Sequence, residues 1–318
     1  MLKYHFVRIF TYRAERIIIL VTCFLLFLDF ILITLKNVPV DHGAFAFTAM
    51  VGLAITGIGV AYRTSRRDGK IALMLIATGL FVEFTLVAST FNYLLLPLPW
   101  GANEAWFAQM DEWIGFHWPS YVAWIVSIPY ARNLLLAIYV SSLPQLVAMI
   151  LTLGIGGHAR SLHLFLLTGV FGSLMSIAIW SVVPSVGAAA HYILPEELSK
   201  AAALLVDNSY ALKVTDLIAE GAFYISPREA LGLIGFPSFH MVMACMAVWF
   251  SYGHRWLFLP LLLINLLMIP AILFHGGHHV MDVIGGVVVF GLCLAASIHI
   301  LRYADHSSHS CDITSAHL

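Results

Sequence analysis

Four side chains able to move a proton or attack an electrophile fall in two short segments of this sequence. Ser238 and His240 lie in Phe236-Pro237-Ser238-Phe239-His240; His278 and Asp282 lie in the stretch from His275 through Gly276-Gly277-His278-His279 to Gly285-Gly286. Positions 278 and 282 are four apart, so on a helix imidazole and carboxylate share one face and can hydrogen-bond. A carboxylate on one ring nitrogen fixes the tautomer and raises the basicity of the other. That is the preparation a nucleophilic histidine needs. A lone histidine is more often structural or merely solvated; what gives this set meaning is that two separate segments supply it. The glycine pairs 276/277 and 285/286 have a packing role open to them, since glycine lets helices approach closely.

The elements that must position these residues sit in lipid. The chain is 61% hydrophobic and 10% charged over 318 residues, with a mean hydropathy of +0.91, against roughly 25% charged in a soluble domain. A spanning helix takes about 20 mostly apolar residues. The runs 17–36, 44–62, 71–95, 131–153, 163–184, 238–252, 256–274 and 279–302 predict about eight transmembrane helices in an all-α polytopic membrane protein. The sixth run is short, and its start is the Ser238/His240 motif. The first run lacks a small-residue cleavage pattern and reads as a signal anchor.

Lys3, Arg8, Arg13, Arg16, Arg63, Arg66, Arg67, Lys70, Arg160, Arg255 and Arg302 collect 11 of the 16 basic residues on one side. By the positive-inside rule both termini are then cytoplasmic, and both histidine segments open at the outer face. Residues 96–130, with Trp100, Trp106, Trp113, Trp118 and Trp124 beside Glu104, Asp111 and Glu112, suit an interfacial or re-entrant helix. Residues 185–237 contain a predicted amphipathic helix at 196–213. The tail after Arg302 is polar and expected to be disordered, with His306, His309 and His317. Cys23, Cys245, Cys293 and Cys311 imply no disulfide framework. A net charge of -1 says nothing about nucleic acid, and no nucleic-acid partner is expected.

At the histidine segments the sequence resembles the type 2 phosphatidic acid phosphatase superfamily of membrane lipid phosphatases. It looks closest to the branch containing inositol phosphorylceramide synthases. The pattern is Pro237-Ser238-Phe239-His240, then His278 to Asp282 with Gly285 or Gly286 following. Asp111-Glu-Trp-Ile-Gly-Phe-His-Trp-Pro119, with Tyr139 and Gln145, resembles bacterial members of that branch. The resemblance covers roughly residues 100–300. It divides the chain into N-terminal transmembrane helices (1–95), a phosphatase- or phosphotransferase-like membrane domain with a six-helix core and outer-face interfacial helices (96–302), and a cytoplasmic tail (303–318).

The resemblance implies that His278 attacks phosphorus and carries a transient phosphohistidine, with Asp282 orienting it. His240 protonates the leaving oxygen and later deprotonates the acceptor, and Ser238 hydrogen-bonds a phosphate oxygen. The substrate is a phospholipid or other lipid phosphate, and neither metal nor cofactor is required. A bacterial inner membrane with a periplasmic site fits a compact chain of this kind. The chain departs from the wider superfamily in lacking both the Lys…Arg-Pro motif and the Ser-Arg pair upstream of the nucleophile, where Ala271 and Ile272 stand. Phosphate charge must then be met by other groups, and the candidates are Arg228 first, Lys213, Arg132, His275 and His279.

Two other readings compete. His275, His279, His240 and Asp282 could hold zinc in a metal-dependent hydrolase. Asp29 and Glu83, acidic residues within spans, could with the histidines form a proton path in a transporter or channel.

Overall fold

The structure, a computed structural model, describes residues 9–314, with side chains for residues 9–302. Lys3, Arg8 and His317 lie outside the described residues, and the side chains of His306, His309 and Cys311 lie outside the described side chains. The fold is all-α, as the hydropathy requires. Among the described residues, six helices are long and apolar enough to cross a membrane: α1 (Arg13–Lys36), α2 (His42–Thr64), α3 (Gly69–Leu94), α8 (Ala159–Val182), α13 (Arg255–His275) and the Val280–Arg302 part of α14 (Val280–Thr314). The backbone of α14 continues helical past the span, where a disordered tail was expected. Two shorter apolar helices, α7 (Ser142–Ile155) and α12 (Phe239–Ser251), complete the bundle.

The expected single span at 131–153 is broken. α6 (Ala131–Val140) ends at Ser141, and α7 starts afresh beyond it. Pro144 accounts for the break: its ring would clash with the carbonyl of Val140 in a continuous helix, but it is tolerated in a first turn. α5 (Trp118–Ser127) precedes α6, and the pair is bent by 113°. With α4 (Glu104–Trp113), these helices make the expected interfacial region. Trp100, Trp106, Trp113 and Trp124 are exposed, as indoles at headgroup depth should be. Trp118 is the exception. It is buried, and its indole N–H donates to the carbonyl of Leu273, 2.9 Å away, one of the orphan acceptors in the last turn of α13.

The amphipathic helix expected at 196–213 is also two helices, α10 (Glu196–Ala202) and α11 (Asn208–Glu220), after the single turn α9 (Ala188–His191). Ala203 leaves α10 at a positive φ of 44°, and Asp207 starts α11 by accepting the backbone N–H of Tyr210. These short helices pack beside the histidine segments, because the backbone N–H of Val206 donates to the carbonyl of His275 at 3.0 Å.

At the opposite end, Glu15 of α1 is buried and grips Arg63 of α2 through both carboxylate oxygens at 2.7 and 2.8 Å. His163 of α8 lies 3.5 Å from Glu15 Oε1. This cluster ties the first two helices to the rest of the bundle.

Candidate active site

Ser238 is the N-cap residue of α12, and its backbone N–H donates to the carbonyl oxygen of Asp282 at 2.9 Å. That bond presses the start of α12 against the first turn of α14. A Cβ on Gly286 would lie 2.5 Å from the Ser238 carbonyl oxygen, and one on Gly285 would lie 2.7 Å from the Phe236 ring. The 285/286 pair therefore has the packing role the sequence offered it, and that packing brings the two histidine segments together.

His278 stands just before α14. Its Nδ1 is 2.9 Å from Asp282 Oδ2, and the same oxygen accepts the backbone N–H of His279 at 2.9 Å. An ionised carboxylate only accepts, so Nδ1 carries the proton and Nε2 keeps its lone pair. Nε2 faces the Ser238 hydroxyl at 3.5 Å. The ring of His240 lies across the gap, 6.4 Å from that of His278 between centroids and tilted by 65°. Tyr139 of α6 supports His240 by stacking at 4.3 Å. Ser238 and Asp282 are fully buried, and His278 is 4% exposed. Asp282 Oδ1 has no hydrogen-bond partner although it is buried.

The remaining candidates are held elsewhere. His279 turns both ring nitrogens toward carboxylates, Nδ1 to Asp111 at 2.8 Å and Nε2 to Glu104 at 3.3 Å. Burial by itself would lower its pKa, but the hydrogen bonds to Asp111 and Glu104, with the charge of Asp282, outweigh burial and push it up to about 9. Glu104 also accepts from the backbone N–H of Val186 and Gly187, and Asp111 from that of Val280. These two carboxylates of α4 thus clamp the interfacial helix onto the segment that carries His278.

His275 is fully buried with its Nε2 3.0 Å from the Arg132 carbonyl oxygen. The Arg132 guanidinium is engaged with Asn133 and with the Ala201 carbonyl. Arg228 is exposed. Lys213 is exposed on α11.

The structure thus unites Ser238, His240, His278 and Asp282 and leaves Arg228 and Lys213 at the surface. The four residues named for zinc do not converge, and no group of three or more histidine, cysteine or acidic residues among the described residues has metal-binding geometry. Asp29 is buried in α1 and Glu83 faces Gly52 of α2, and neither touches the cluster. The clamp was missed from sequence; its available signal was the seven-residue spacing of Glu104 and Asp111, which puts both on one face of α4.

Fold and site define a polytopic integral membrane protein with a histidine–carboxylate centre buried at one end of its helical bundle. The family model described as PAP2 superfamily matches residues 105–296, more than half of the chain, and the chain belongs to that superfamily. The matched segment contains every residue of the cluster and the clamp except Glu104, while α1 to α3 lie outside it. No curated protein and no solved structure matches the chain. Membership supports a lipid phosphatase- or phosphotransferase-type function.

Proposed function

We propose that this protein is a phosphotransferase that takes a phosphate group from a membrane lipid onto His278 and passes it to a second acceptor. The observation that carries this reading is the split environment of His278: one ring nitrogen on Asp282, the other open toward Ser238 and His240. Nε2 attacks phosphorus, and the bond from phosphorus to the lipid oxygen breaks. His240, protonated when the phosphate is bound, gives its proton to that oxygen, so the lipid leaves as an alcohol. The acceptor hydroxyl then loses its proton to His240 as its oxygen displaces His278, which closes the cycle. Ser238 Oγ hydrogen-bonds a phosphate oxygen throughout. Asp282 keeps the ring of His278 in the reactive tautomer and meets the charge that develops on it.

Burial of the centre favours an alcohol over water as acceptor. Val206 and Ala189 press on Gly277 next to the nucleophile, and His278 is nearly inaccessible. The likeness of Asp111 to Pro119, Tyr139 and Gln145 to inositol phosphorylceramide synthases supports the same reading; Tyr139 backs His240, and Gln145 accepts from Asn265 at 2.7 Å. The distribution of basic residues supports a site at the outer face of the membrane, with both termini cytoplasmic. Of the cationic candidates, Arg132 is the one whose backbone meets His275, and it is our candidate for the charge that faces a bound phosphate.

The test is an assay of purified protein in EDTA, with phosphatidic acid and water in one arm and a phosphoinositol lipid and ceramide in the other. Release or transfer is expected in at least one arm and is lost in His278→Ala. No turnover in either arm, or turnover that EDTA removes, contradicts the proposal.

A further inference from the structure

Beside the histidine centre the bundle forms an apolar cavity of about 260 Å³, partly open at Thr85 and Ser89. It follows the helix axes. Its wall on α3 runs from Leu80 to Tyr93, about 20 Å at 1.5 Å per residue, a large part of a hydrocarbon core about 30 Å thick. α8 and α12 supply the facing walls. At one end stands His240; at the other, Ile18 of α1 and Phe165 of α8. An apolar cavity of about 150 Å³ already stays dry and takes up benzene, so this larger one is suited to hydrocarbon. Its few polar groups include Asn92 toward the His240 end, whose Oδ1 is buried without a partner among the described residues.

His240 lines this cavity and His278 does not. In the proposed reaction, which this inference rests on, His240 protonates the oxygen that leaves. The cavity therefore lies on the leaving-group side of phosphorus. We infer that it holds a long hydrocarbon chain of the phosphate donor, running down α3 from His240, so that the lipid is the leaving alcohol. The wall formed by α3 lies outside the segment matched to the superfamily, and it is this chain's own determinant of donor chain length.

Two experiments test the assignment, and the first needs no turnover. His278→Ala protein is photolabelled with phosphatidic acid carrying a diazirine either near the carboxyl end or at the methyl end of an acyl chain. The methyl-end probe is expected to label the deep wall around Leu80, Phe84 and Phe165, and the carboxyl-end probe the region of Asn92. Equal labelling by both probes, or labelling confined to outward-facing residues such as Trp249, overturns the inference.

The second compares dioleoyl- and dihexanoyl-phosphatidic acid as donors for the wild type and for two variants that fill the cavity from opposite walls, Ala88→Phe and Ser173→Phe. kcat/KM for the long-chain donor is expected to fall about tenfold or more, the scale of discrimination in an apolar pocket, while the short-chain donor changes less than about twofold. Equal losses for both donors in correctly folded protein, or no loss for either, contradict it. If the wild type turns over neither donor, nor a phosphoinositol lipid with ceramide, the phosphotransferase reading fails, while the position-dependent labelling still decides whether a chain occupies the cavity.

Discussion

Two buried histidine–carboxylate clusters stand at opposite ends of the bundle, and they differ in how completely their polar atoms are used. Glu15 takes two N–H groups of Arg63, with His163 against the same carboxylate. In the other cluster Asp282 leaves Oδ1 without a partner, and His278 leaves Nε2 at a long 3.5 Å from Ser238. The contrast recurs between adjacent residues, since His279 has both ring nitrogens on carboxylates while His278 has one. A saturated cluster fixes helices; a cluster with buried, unused capacity at the meeting of two helix starts is open to a ligand. Histidine content alone does not separate the two, but partner saturation does.

Substitutions sharpen that contrast. The largest effect is expected from Asp282→Asn, which keeps the shape but removes the charge that orients His278; kcat should fall about 10³- to 10⁴-fold, the scale seen when the carboxylate behind a catalytic histidine is neutralised, with the melting temperature little changed. A loss of folding in place of activity would make Asp282 structural, like Glu15. Glu15→Ala should do the reverse, costing about 3 kcal/mol of stability because it leaves the half-buried Arg63 without its carboxylate, while kcat of the folded fraction stays near that of the wild type. Thermal melting in detergent beside turnover per folded molecule separates these outcomes.

The clamp gives a pH signature of intermediate size. The pKa of His279 is raised from 6.5 to about 9 on folding, so its pairing with Asp111 and Glu104 contributes stability in full below about pH 6.5 and loses it as pH rises through 9. The contribution amounts to about 3 kcal/mol. Melting temperature should therefore decline between pH 6.5 and 9.5 in the wild type and be flatter, from a lower start, in Asp111→Asn. An equally steep decline in that variant would mean that Asp111 does not hold the charge of His279. Smallest of all, Trp118→Phe should cost about 1–3 kcal/mol by leaving the Leu273 carbonyl unpaired, with donor preference unchanged.

What could be read from sequence follows from range. The pairing of His278 with Asp282 is four residues long and rests on helix geometry alone, so spacing revealed it. The joining of that pair to Ser238 was legible because hydropathy put both motifs at span ends, and the structure adds how it happens, through Gly285 and Gly286. His279 and Asp111 are 168 positions apart, and no local pattern marks them as partners. For the same reason nothing local marks which cationic side chain meets the phosphate, and Arg228, the candidate named first, is exposed. The spans were legible as apolar runs, but the break at Ser141 depends on Pro144, whose effect a hydropathy average does not register. The cavity is the least legible feature, because no one helix contains it. Thr85, Ser89 and Asn92 recur at helical spacing on α3, yet only the facing residues of α8 and α12 turn that stripe into a wall.

The claim on which the rest depends is that His278, and not its saturated neighbour, carries the phosphoryl group. Rapid quenching of enzyme with lipid labelled in its phosphate, followed by peptide mapping, tests it directly. The account predicts an acid-labile, base-stable label on His278 in the wild type and none in His278→Ala. A label that persists in that variant on His279 or His240 would contradict it.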